Sequence, residues 1–244
     1  IRDIETINLE LMLADLSTIE KRIKKTEKAA ESGDKKYVEE LRELKKLKEK
    51  LELGINIRQI EFNQISKRLV KELQLLSAKP IIYVCNVNES EINSTKNNYV
   101  NEVKKYAALE NAQVIKVSAK IEADIAELDK EDSSLFLEEL NIEESGLDRL
   151  IRAGYELLDL ITFLTAGKQE VRAWTVKKGS SAPKAAGKIH TDMEKGFIRA
   201  EIVSYEDLIE SGSYKKCRED GLLRLEGKDY IIKDGDICNF RFNV

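Results

Sequence analysis

The sequence predicts a chain of mixed class, α/β plus α+β, built from a helical hairpin, a segment with a parallel sheet and a small α+β domain. Apolar residues first recur at spacings of three and four, the pattern then changes to strand, helix and strand, and short alternating strands follow near the end. The net charge changes at similar places, being +2 over residues 1–78, −8 over 79–163 and +2 over 164–244.

Composition narrows the class of protein. Hydrophobic residues make up 42% of the 244 residues and charged residues 35%, which suits a soluble protein with long solvated helices. The net charge of −4 gives no overall field that attracts nucleic acid, so we expect no DNA partner. Three dispersed cysteines and one histidine predict a reducing compartment and no zinc site. No apolar run approaches about 18 residues and no signal-peptide pattern opens the chain, so we expect a cytoplasmic protein without a membrane partner.

Residues 1–78 predict a helical arm that turns back on itself. The apolar residues at helical spacing are Ile4, Ile7, Leu11, Leu16, Ile19 and Ile23, and then Val38, Leu41, Leu44, Leu47 and Leu51. Between the two runs, Ser32-Gly33-Asp34 ends one helix and begins the next. We therefore expect an antiparallel hairpin, followed by a third helix over about 56–76 that stops before Pro80.

Seven basic residues lie near the tip of this hairpin. They are Lys21, Arg22, Lys24, Lys25, Lys28, Lys35 and Lys36. A basic finger of this kind can contact RNA phosphates. The second interpretation is a solvated helical surface, because acidic residues are interleaved with the basic ones. These acidic residues are Glu20, Glu27, Glu31, Glu39 and Glu40. Charge alone leaves both interpretations open.

Residues 79–161 alternate between strand and helix. The predicted elements are a strand over Ile81–Val84, a helix around 97–109, a strand over Val114–Val117, and helices near 121–128, 133–140 and 146–161. This order implies a parallel sheet, and ligands of such sheets bind beyond the carboxyl ends of the strands. Asn86-Val87-Asn88-Glu89 and Ser118-Ala119-Lys120 each follow a strand directly. The sequence therefore predicts that these two segments form the base-recognition end of a nucleotide site.

The segment from Asn86 to Glu89 resembles the Asn-Lys-x-Asp motif of GTP-binding proteins, with Val87 in place of the lysine and Glu89 in place of the aspartate. In that motif the aspartate accepts two hydrogen bonds from guanine, whereas adenine presents an acceptor nitrogen at the same edge. Glu89 is one methylene longer and Val87 is too short to flank the base, which argues against strong guanine selectivity. Asn86 can pair with the amine and ring nitrogen of adenine. The alternative is that Asn86 and Glu89 only cap the helix that follows them.

Residues 162–244 predict a small α+β domain. A strand over Val171–Val176 carries the only tryptophan, a short helix stops at Gly187, and a strand closes the chain over Ile237–Val244. His190 has no cysteine, serine or metal partner near it in sequence, so we expect a structural role and assign no catalytic residue. A modest basic cluster fits either phosphate contact or a solvated face. It consists of Lys177, Lys178, Lys184 and Lys188.

Four stretches of the chain together resemble the YchF family, the Obg-like ATPases. They are "IRDIETINLELMLADL", "KPIIYVCNVNESE", "VSAKIEADIAEL" and "DYIIKDGDICNFRFNV". The resemblance implies a helical coiled-coil arm over 1–78, the carboxyl-terminal half of a P-loop NTPase (G) domain with a parallel sheet over 79–161, and a ubiquitin-like TGS domain over 162–244. It also implies a translation-associated ATPase that contacts the ribosome through the TGS domain and the coiled coil.

The same resemblance assigns site residues. The family carries Asn-x-x-Glu in place of Asn-Lys-x-Asp and prefers ATP, and Asn86, Val87 and Glu89 fall on that motif. Val87 is expected to contact the base through its backbone. Ser118 and Ala119 match the second base-side loop of the family.

One part of the family pattern is absent from these 244 residues. No G-x-x-x-x-G-K-S/T segment is present, and a nucleotide binder of this class holds its phosphates and Mg²⁺ through that loop. The chain begins at Ile1, within a predicted helix. We therefore expect a piece of a longer protein that on its own binds nucleotide weakly and does not hydrolyse ATP. Two other functions remain open: a stand-alone, non-enzymatic module that binds the ribosome, RNA or another protein, and a GTPase, which Val87 and Glu89 disfavour.

Overall fold

The computed structural model describes residues 1–167 and 170–243, and the chain forms two compact units, Ile1–Leu150 and Ile151–Val244. The elements of the first unit are α1 (Arg2–Ala30), α2 (Lys35–Glu52), α3 (Gln64–Leu73), β1 (Ile82–Asn86), α4 (Asn98–Leu109), β2 (Gln113–Val117), α5 (Ala119–Ala126) and α6 (Lys130–Glu139). Helix α7 (Gly146–Leu157) contains the boundary between the units. The division into three domains, with boundaries at 78/79 and 161/162, stays a prediction.

The second unit combines a sheet with short helices. Its further elements are β3 (Leu160–Ala166), β4 (Val171–Lys177), α8 (Ala182–Ile189), α9 (Thr191–Lys195), β5 (Phe197–Ser204), α10 (Tyr205–Ser211), α11 (Tyr214–Glu219), β6 (Arg224–Glu226) and β7 (Asp236–Phe242). The strand order is β4-β3-β7-β5-β6, with β3 and β7 parallel and the other neighbours antiparallel. Phe163, Ile202 and Ile232 are buried in the core of this unit. The predicted mixture of helix and sheet is thus present in both units.

The tryptophan and the histidine of the second unit both make contacts within it. Trp174 donates its indole N–H to Oγ1 of Thr165 at 2.9 Å and packs against the core, and the guanidinium carbon of Arg172 lies 4.3 Å from the centroid of its ring. Nδ1 of His190 accepts the N–H of Asp192 at 3.2 Å. His190 therefore caps α9, and the absence of a catalytic role for it stays a prediction.

The hairpin of α1 and α2 forms where the sequence predicts it. Gly33 has φ +76°, a left-handed conformation that glycine adopts without steric cost. The side chain of Asp34 accepts the N–H of Lys36 at 2.9 Å and so caps the start of α2. Ile19 of α1 and Leu44 of α2 are fully buried in the core that the two helices share with α3. The turn residues and the helical spacing of the apolar residues therefore lead to the same hairpin.

Two buried carboxylates link the hairpin to the segment that follows it. Glu40 is 3% exposed, and its oxygens lie 2.7 Å from Nη2 of Arg22 and 3.3 Å from Nη2 of Arg68. Asp15 is 2% exposed and accepts the N–H and the hydroxyl of Ser77 at 2.7 and 2.6 Å. Because a buried charge is costly without partners, these contacts determine how the arm packs on residues 64–77.

The predicted third helix over 56–76 is shorter in the structure. A 3-10 turn at Ile57–Gln59 comes first, and α3 begins only after Asn63. Oδ1 of Asn63 accepts the N–H groups of Ile65 and Ser66, both at 2.9 Å. Asparagine is a strong helix N-cap, and this cap restarts the chain as a helix at residue 64.

Several other element ends differ from the predicted positions. The helix that was predicted to stop at Gly187 continues as α8 to Ile189, and α5, α6 and β7 begin or end one to three residues from their predicted bounds. β1 extends to Asn86 rather than ending at Val84, because Asn86 still pairs with Val117 of β2. α7 ends at Leu157, whereas the sequence predicts a helix up to residue 161. Asp159 adopts φ 52°, a left-handed conformation that ends the helical path, and β3 begins at the next residue.

Candidate functional site

The carboxyl ends of β1 and β2 lie side by side. The strands are parallel, and Asn86, the last residue of β1, pairs with Val117, the last residue of β2. The N–H of Val87 donates to the carbonyl of Val117 at 2.8 Å. Oδ1 of Asn86 accepts the N–H of Ala119 at 3.0 Å. The two polar segments that the sequence singles out are therefore joined directly by hydrogen bonds.

The carboxylate of Glu89 faces a lysine from the second segment. Its Oε2 lies 2.9 Å from Nζ of Lys120, and the two side chains are 42% and 69% exposed. The hydrogen bond to Glu89 and the negative charge of Glu89 raise the pKa of Lys120. The carboxylate that was predicted to face a base therefore has a protonated amine as its partner. Lys120 was not among the predicted site residues.

Other residues provide the cap that was the alternative role for Asn86 and Glu89. The 3-10 turn Glu89–Glu91 begins after Asn88. Oε2 of Glu91 accepts hydrogen bonds from the backbone N–H and from Nδ2 of Asn88, at 3.4 and 3.3 Å. Asn86 instead binds the first N–H of α5, and Glu89 binds Lys120. Neither side chain caps the turn that follows it.

The segment after β2 is held in place by the start of α7. Ser118 is 2% exposed and lies directly before α5. The carboxylate of Glu122 accepts the N–H groups of Gly146 and Leu147 at 2.7 and 3.1 Å. A Cβ at Gly146 would lie 2.8 Å from Cγ1 of Val117, closer than carbon atoms can approach, so only glycine fits there. This packing fixes the position of Ser118 and of the strand end before it.

Lys116 holds the segment after β1 in place. Its Nζ donates to the carbonyls of Glu91 and Ser94 at 3.0 and 2.7 Å, and its own carbonyl accepts from Nη2 of Arg149 at 2.9 Å. Burial, together with the positive charges of Lys104 and Arg149, lowers the pKa of Lys116. Sequence reasoning missed this residue. A lysine inside an otherwise apolar strand is the signal that could have indicated it.

The other end of β1 is attached to a buried ion pair. The hydroxyl of Tyr83 donates to Oε2 of Glu110 at 2.9 Å. Nη2 of Arg58 lies 3.2 Å from Oε1 of Glu110 and 2.7 Å from Oδ1 of Asn8. The side chains of Arg58 and Glu110 are only 8% and 2% exposed. Burial, with the hydrogen bond and charge of Glu110, raises the pKa of Tyr83 to about 12.

A cavity of about 670 Å³ lies along β1 and α4. Its lining includes Val84 and residues 86–88 from the strand side and Tyr99 and Val100 from the helix side. Of the predicted site residues, Asn86 and Val87 line this cavity, whereas Glu89, Ser118 and Ala119 do not. The cavity therefore adjoins the strand ends without enclosing them.

Hydrogen-bonding groups and one ion pair make up this site. Within residues 1–167 and 170–243, no group of three or more His, Cys, Asp or Glu side chains is arranged to hold a metal ion. In the same part of the chain, no helix has the length and apolar character needed to span a membrane.

Relatives of known sequence match the chain along its length. The family described as "YchF-GTPase_C: Protein of unknown function (DUF933)" matches residues 160–243. "Ribosome-binding ATPase YchF" of Bacillus subtilis (strain 168) is 56% identical over 245 residues, covering 100% of this chain and 67% of that protein. The protein of the same name from Escherichia coli O157:H7 is 50% identical over 242 residues, covering 99% and 66%. The chain thus spans about two thirds of the length of the curated relatives it matches.

Two solved structures are similar in fold. The Schizosaccharomyces pombe YchF GTPase has a TM-score of 0.85 at 33% identity, covering 98% of this chain and 65% of that one. A GTP binding protein from Pyrococcus horikoshii OT3 has a TM-score of 0.60 at 18% identity, covering 99% and 71%, and this match supports the fold alone. The names of these proteins differ in the nucleotide they imply, ATP for the curated relatives and GTP for the solved structures. The choice of base therefore has to be argued from side chains.

Proposed function

Because the chain belongs to the YchF family, we propose that it provides the base-recognition end and the ribosome-binding surfaces of a cytoplasmic ATPase. The observation that carries the proposal is the hydrogen bonding at the carboxyl ends of β1 and β2. Both groups that would recognise guanine there already have partners within the chain. The carboxylate of Glu89 binds Lys120, and the N–H of Ala119 binds Asn86.

Guanine and adenine differ in the hydrogen bonds that they would need from Glu89 and Ala119. Guanine presents a ring N–H and an amine, which need a free carboxylate, and a carbonyl oxygen, which needs a free N–H. To bind here, guanine would have to displace Lys120 from Glu89 and Asn86 from Ala119. Breaking the exposed ion pair costs little by itself, but guanine would also have to break the hydrogen bond between Asn86 and Ala119. The site therefore disfavours guanine, and adenine, which lacks these donors at that edge, is the better ligand.

Asn86 still offers a hydrogen-bond donor to a base. Its Oδ1 is bonded to Ala119, but its Nδ2 has no hydrogen-bond partner among the described residues. N7 of either purine is an acceptor, so this amide group suits adenine and guanine equally. The N–H of Val87 is used by Val117, which leaves the carbonyl of Val87 as a backbone contact. In this proposal Asn86 and Val87 hold the base, while Glu89 and Ala119 decide which base is accepted.

Phosphate and Mg²⁺ binding are proposed to belong to a longer polypeptide. The 244 residues contain no G-x-x-x-x-G-K-S/T segment, and in P-loop NTPases that segment holds the phosphates while its Ser or Thr binds Mg²⁺. We therefore propose ATP as the nucleotide of the complete protein. The present chain on its own is expected to bind ATP weakly and not to hydrolyse it.

The hairpin of α1 and α2, which we propose to be the coiled-coil arm of the family, has a lysine-rich surface near its tip. The exposed lysines are Lys21, Lys24, Lys25 and Lys28 on α1 and Lys35 and Lys36 at the start of α2. On α1, Lys24 and Lys25 lie three and four residues after Lys21, and Lys28 lies four and three residues after them, so the four share one face. Positive charge is thus concentrated on one side of the arm.

Three of the five acidic residues interleaved with these lysines are paired with other cations. The pairs are Glu20–Lys48 at 2.8 Å, Glu27–Lys45 at 3.0 Å and Glu40–Arg22 at 2.7 Å. None of these three cations belongs to the lysine surface, although, after the hydrogen bond and charge of Lys48, the charge of Lys24 also lowers the pKa of Glu20. Of the two interpretations left open by the sequence, this arrangement favours contact with RNA phosphates.

The second unit, which we propose to be the TGS domain, offers a further basic surface. Lys177 and Lys178 are exposed at and just after the end of β4, and Lys184 and Lys188 are exposed on α8. The two on α8 are four residues apart and therefore share a face. We propose that these lysines and the arm both contact the ribosome, through a ribosomal subunit or its RNA. No DNA or membrane partner is proposed.

Sedimentation with ribosomes tests the ribosome-binding proposal. The bound fraction of the chain is expected to fall steeply as KCl is raised, because phosphate contacts release counterions. A triple variant with Lys21→Gln, Lys24→Gln and Lys28→Gln is expected to bind about ten-fold more weakly at moderate salt. The matched control carries three Lys→Gln changes at other exposed positions, Lys104, Lys105 and Lys130. Equal loss in the two variants would mean that net charge, not the arm, determines binding.

A second candidate is a stand-alone interaction module without enzymatic activity. The lysine surfaces, together with the absence of a phosphate-binding segment from the 244 residues, favour it. The polypeptide isolated from its own cells distinguishes the two functions. ATP hydrolysis stimulated by ribosomes would exclude the module, whereas ribosome binding without hydrolysis would exclude the ATPase. A GTPase is the least favoured function, because Val87 replaces the lysine of the GTP motif and Glu89 is paired with Lys120.

A further inference from the structure

We propose that Lys120 selects adenine by donating a hydrogen bond from its ammonium group to N1 of the base, while Glu89 holds the lysine in position. This inference rests on the proposed base site and adds the residue that determines its specificity.

Two contacts place Lys120 at the carboxyl ends of β1 and β2. Its backbone directly follows Ala119, whose N–H is bound to Oδ1 of Asn86 at the end of β1. Its Nζ lies 2.9 Å from Oε2 of Glu89, and Glu89 stands where the GTP motif has its base-binding aspartate. The ammonium group therefore lies where the Watson–Crick edge of a purine would meet that carboxylate.

An ammonium group reverses the hydrogen-bonding character of this position. It has three N–H donors and no acceptor, and Glu89 uses one donor. N1 of adenine is an acceptor and can take a donor that remains. Guanine carries a hydrogen on N1 and an amine on C2, so it would place its own donors against those of Lys120. The same side chain thus favours adenine and rejects guanine.

Lys120 can be replaced without threatening the fold. The ion pair with Glu89 is exposed, and exposed pairs of this kind stabilise proteins little. Glu89 and then Asp124 raise the pKa of Lys120, so the amine is charged at neutral pH. Its replacement therefore removes a charged donor from the site while the surrounding packing stays the same.

Nucleosides are the appropriate probes, because they carry no phosphate and need no phosphate-binding loop. The ¹⁵N-labelled chain is titrated with adenosine, with guanosine and with 1-deazaadenosine, in which a C–H replaces N1. Amide shifts are expected at residues 86–89 and 118–120. Adenosine is expected to bind about ten-fold more tightly than 1-deazaadenosine, the effect of one charge-assisted hydrogen bond.

Lys120→Met retains most of the aliphatic stem and removes the donors. In this variant the affinities for adenosine and 1-deazaadenosine are expected to become equal, and the affinity for guanosine to approach them. Lys105→Met, at an exposed position on α4, is the matched control and is expected to keep the ten-fold preference. Glu89→Gln is expected to reduce the preference without abolishing it, because Lys120 remains but loses its anchor.

The outcomes distinguish a failure of the role of Lys120 from a failure of the proposed base site. If adenosine binds at the strand ends and Lys120→Met keeps the preference over 1-deazaadenosine, Lys120 does not contact N1 and the inference is wrong, while the base site stands. If none of the three nucleosides shifts the amides at residues 86–89 or 118–120, the base site itself is wrong and the role of Lys120 falls with it.

Discussion

The two ends of β1 are held by carboxylates in opposite surroundings. At one end, Tyr83 binds Glu110, which is paired with Arg58 out of contact with water. At the other end, Glu89 and Lys120 form their ion pair in solvent. A buried pair is costly to break, because a charge is left without a partner in a medium of low dielectric constant, whereas an exposed pair contributes little. The first end therefore anchors the strand, and the second is free to exchange partners with a ligand.

The largest effect is expected from the same substitution made at each end. Glu110→Gln leaves Arg58 buried without its counter-charge and is expected to lower the free energy of unfolding by about 3–5 kcal/mol. Glu89→Gln, the matched partner, is expected to change it by less than about 1 kcal/mol. Urea denaturation of both variants measures the difference. Similar losses at the two positions would contradict the distinction between an anchored end and an exchangeable end.

A smaller effect is expected from Tyr83→Phe, which removes the hydrogen bond between β1 and Glu110 at a cost of about 1 kcal/mol near neutral pH. The variant also changes the response to pH. An unfolded tyrosine loses its proton near pH 10, and folded Tyr83 near pH 12. The folded state thus holds this proton more tightly, so its contribution to stability is complete below about pH 10 and is lost as pH rises to about 12.

Unfolding free energies at several pH values between 8 and 12 test this expectation. The unchanged chain is expected to lose stability more steeply with rising pH than Tyr83→Phe does. Tyr99→Phe is the control, because the side chain of Tyr99 is largely exposed. Tyr214 and Tyr230, whose pKa values are also raised to about 12, are present in all three proteins and cancel in the comparison. Equal slopes for all three would show that Tyr83 is not anchored by Glu110.

The fold was predictable where its signals are local. Apolar spacing and the turn at Gly33 are sufficient to predict the hairpin, and the order strand, helix, strand is sufficient to predict the parallel pairing of β1 with β2. The end of α7 was not predictable in this way. Asp159 adopts a left-handed backbone conformation that neither glycine nor proline marks in the sequence.

The candidate site also contains one feature that the sequence predicts and one that it does not. Asn86 and Ala119 were predicted to lie together because each follows a parallel strand, and they share a hydrogen bond, although their role in binding a base stays a prediction. The partner of Glu89 was missed. Lys120 is 31 residues away in sequence, and only the placement of α5 after β2 brings the two side chains together. An ion pair of this kind depends on tertiary packing and leaves no local pattern.

The smallest effect is expected at the exposed end of β1, from Glu89→Asp combined with Val87→Lys. Aspartate is one methylene shorter, so the 2.9 Å contact with Lys120 is lost and the carboxylate becomes free to accept the two donors of guanine. The stem of a lysine at position 87 would also flank the ring. Guanosine affinity is expected to rise several-fold relative to adenosine. The gain stays modest because the N–H of Ala119, which suits the guanine oxygen, remains bound to Asn86. Titration with adenosine and with guanosine measures the ratio of the two affinities, both for the double variant and for Val87→Lys alone. An unchanged ratio in the double variant would show that the carboxylate at position 89 does not set the choice of base.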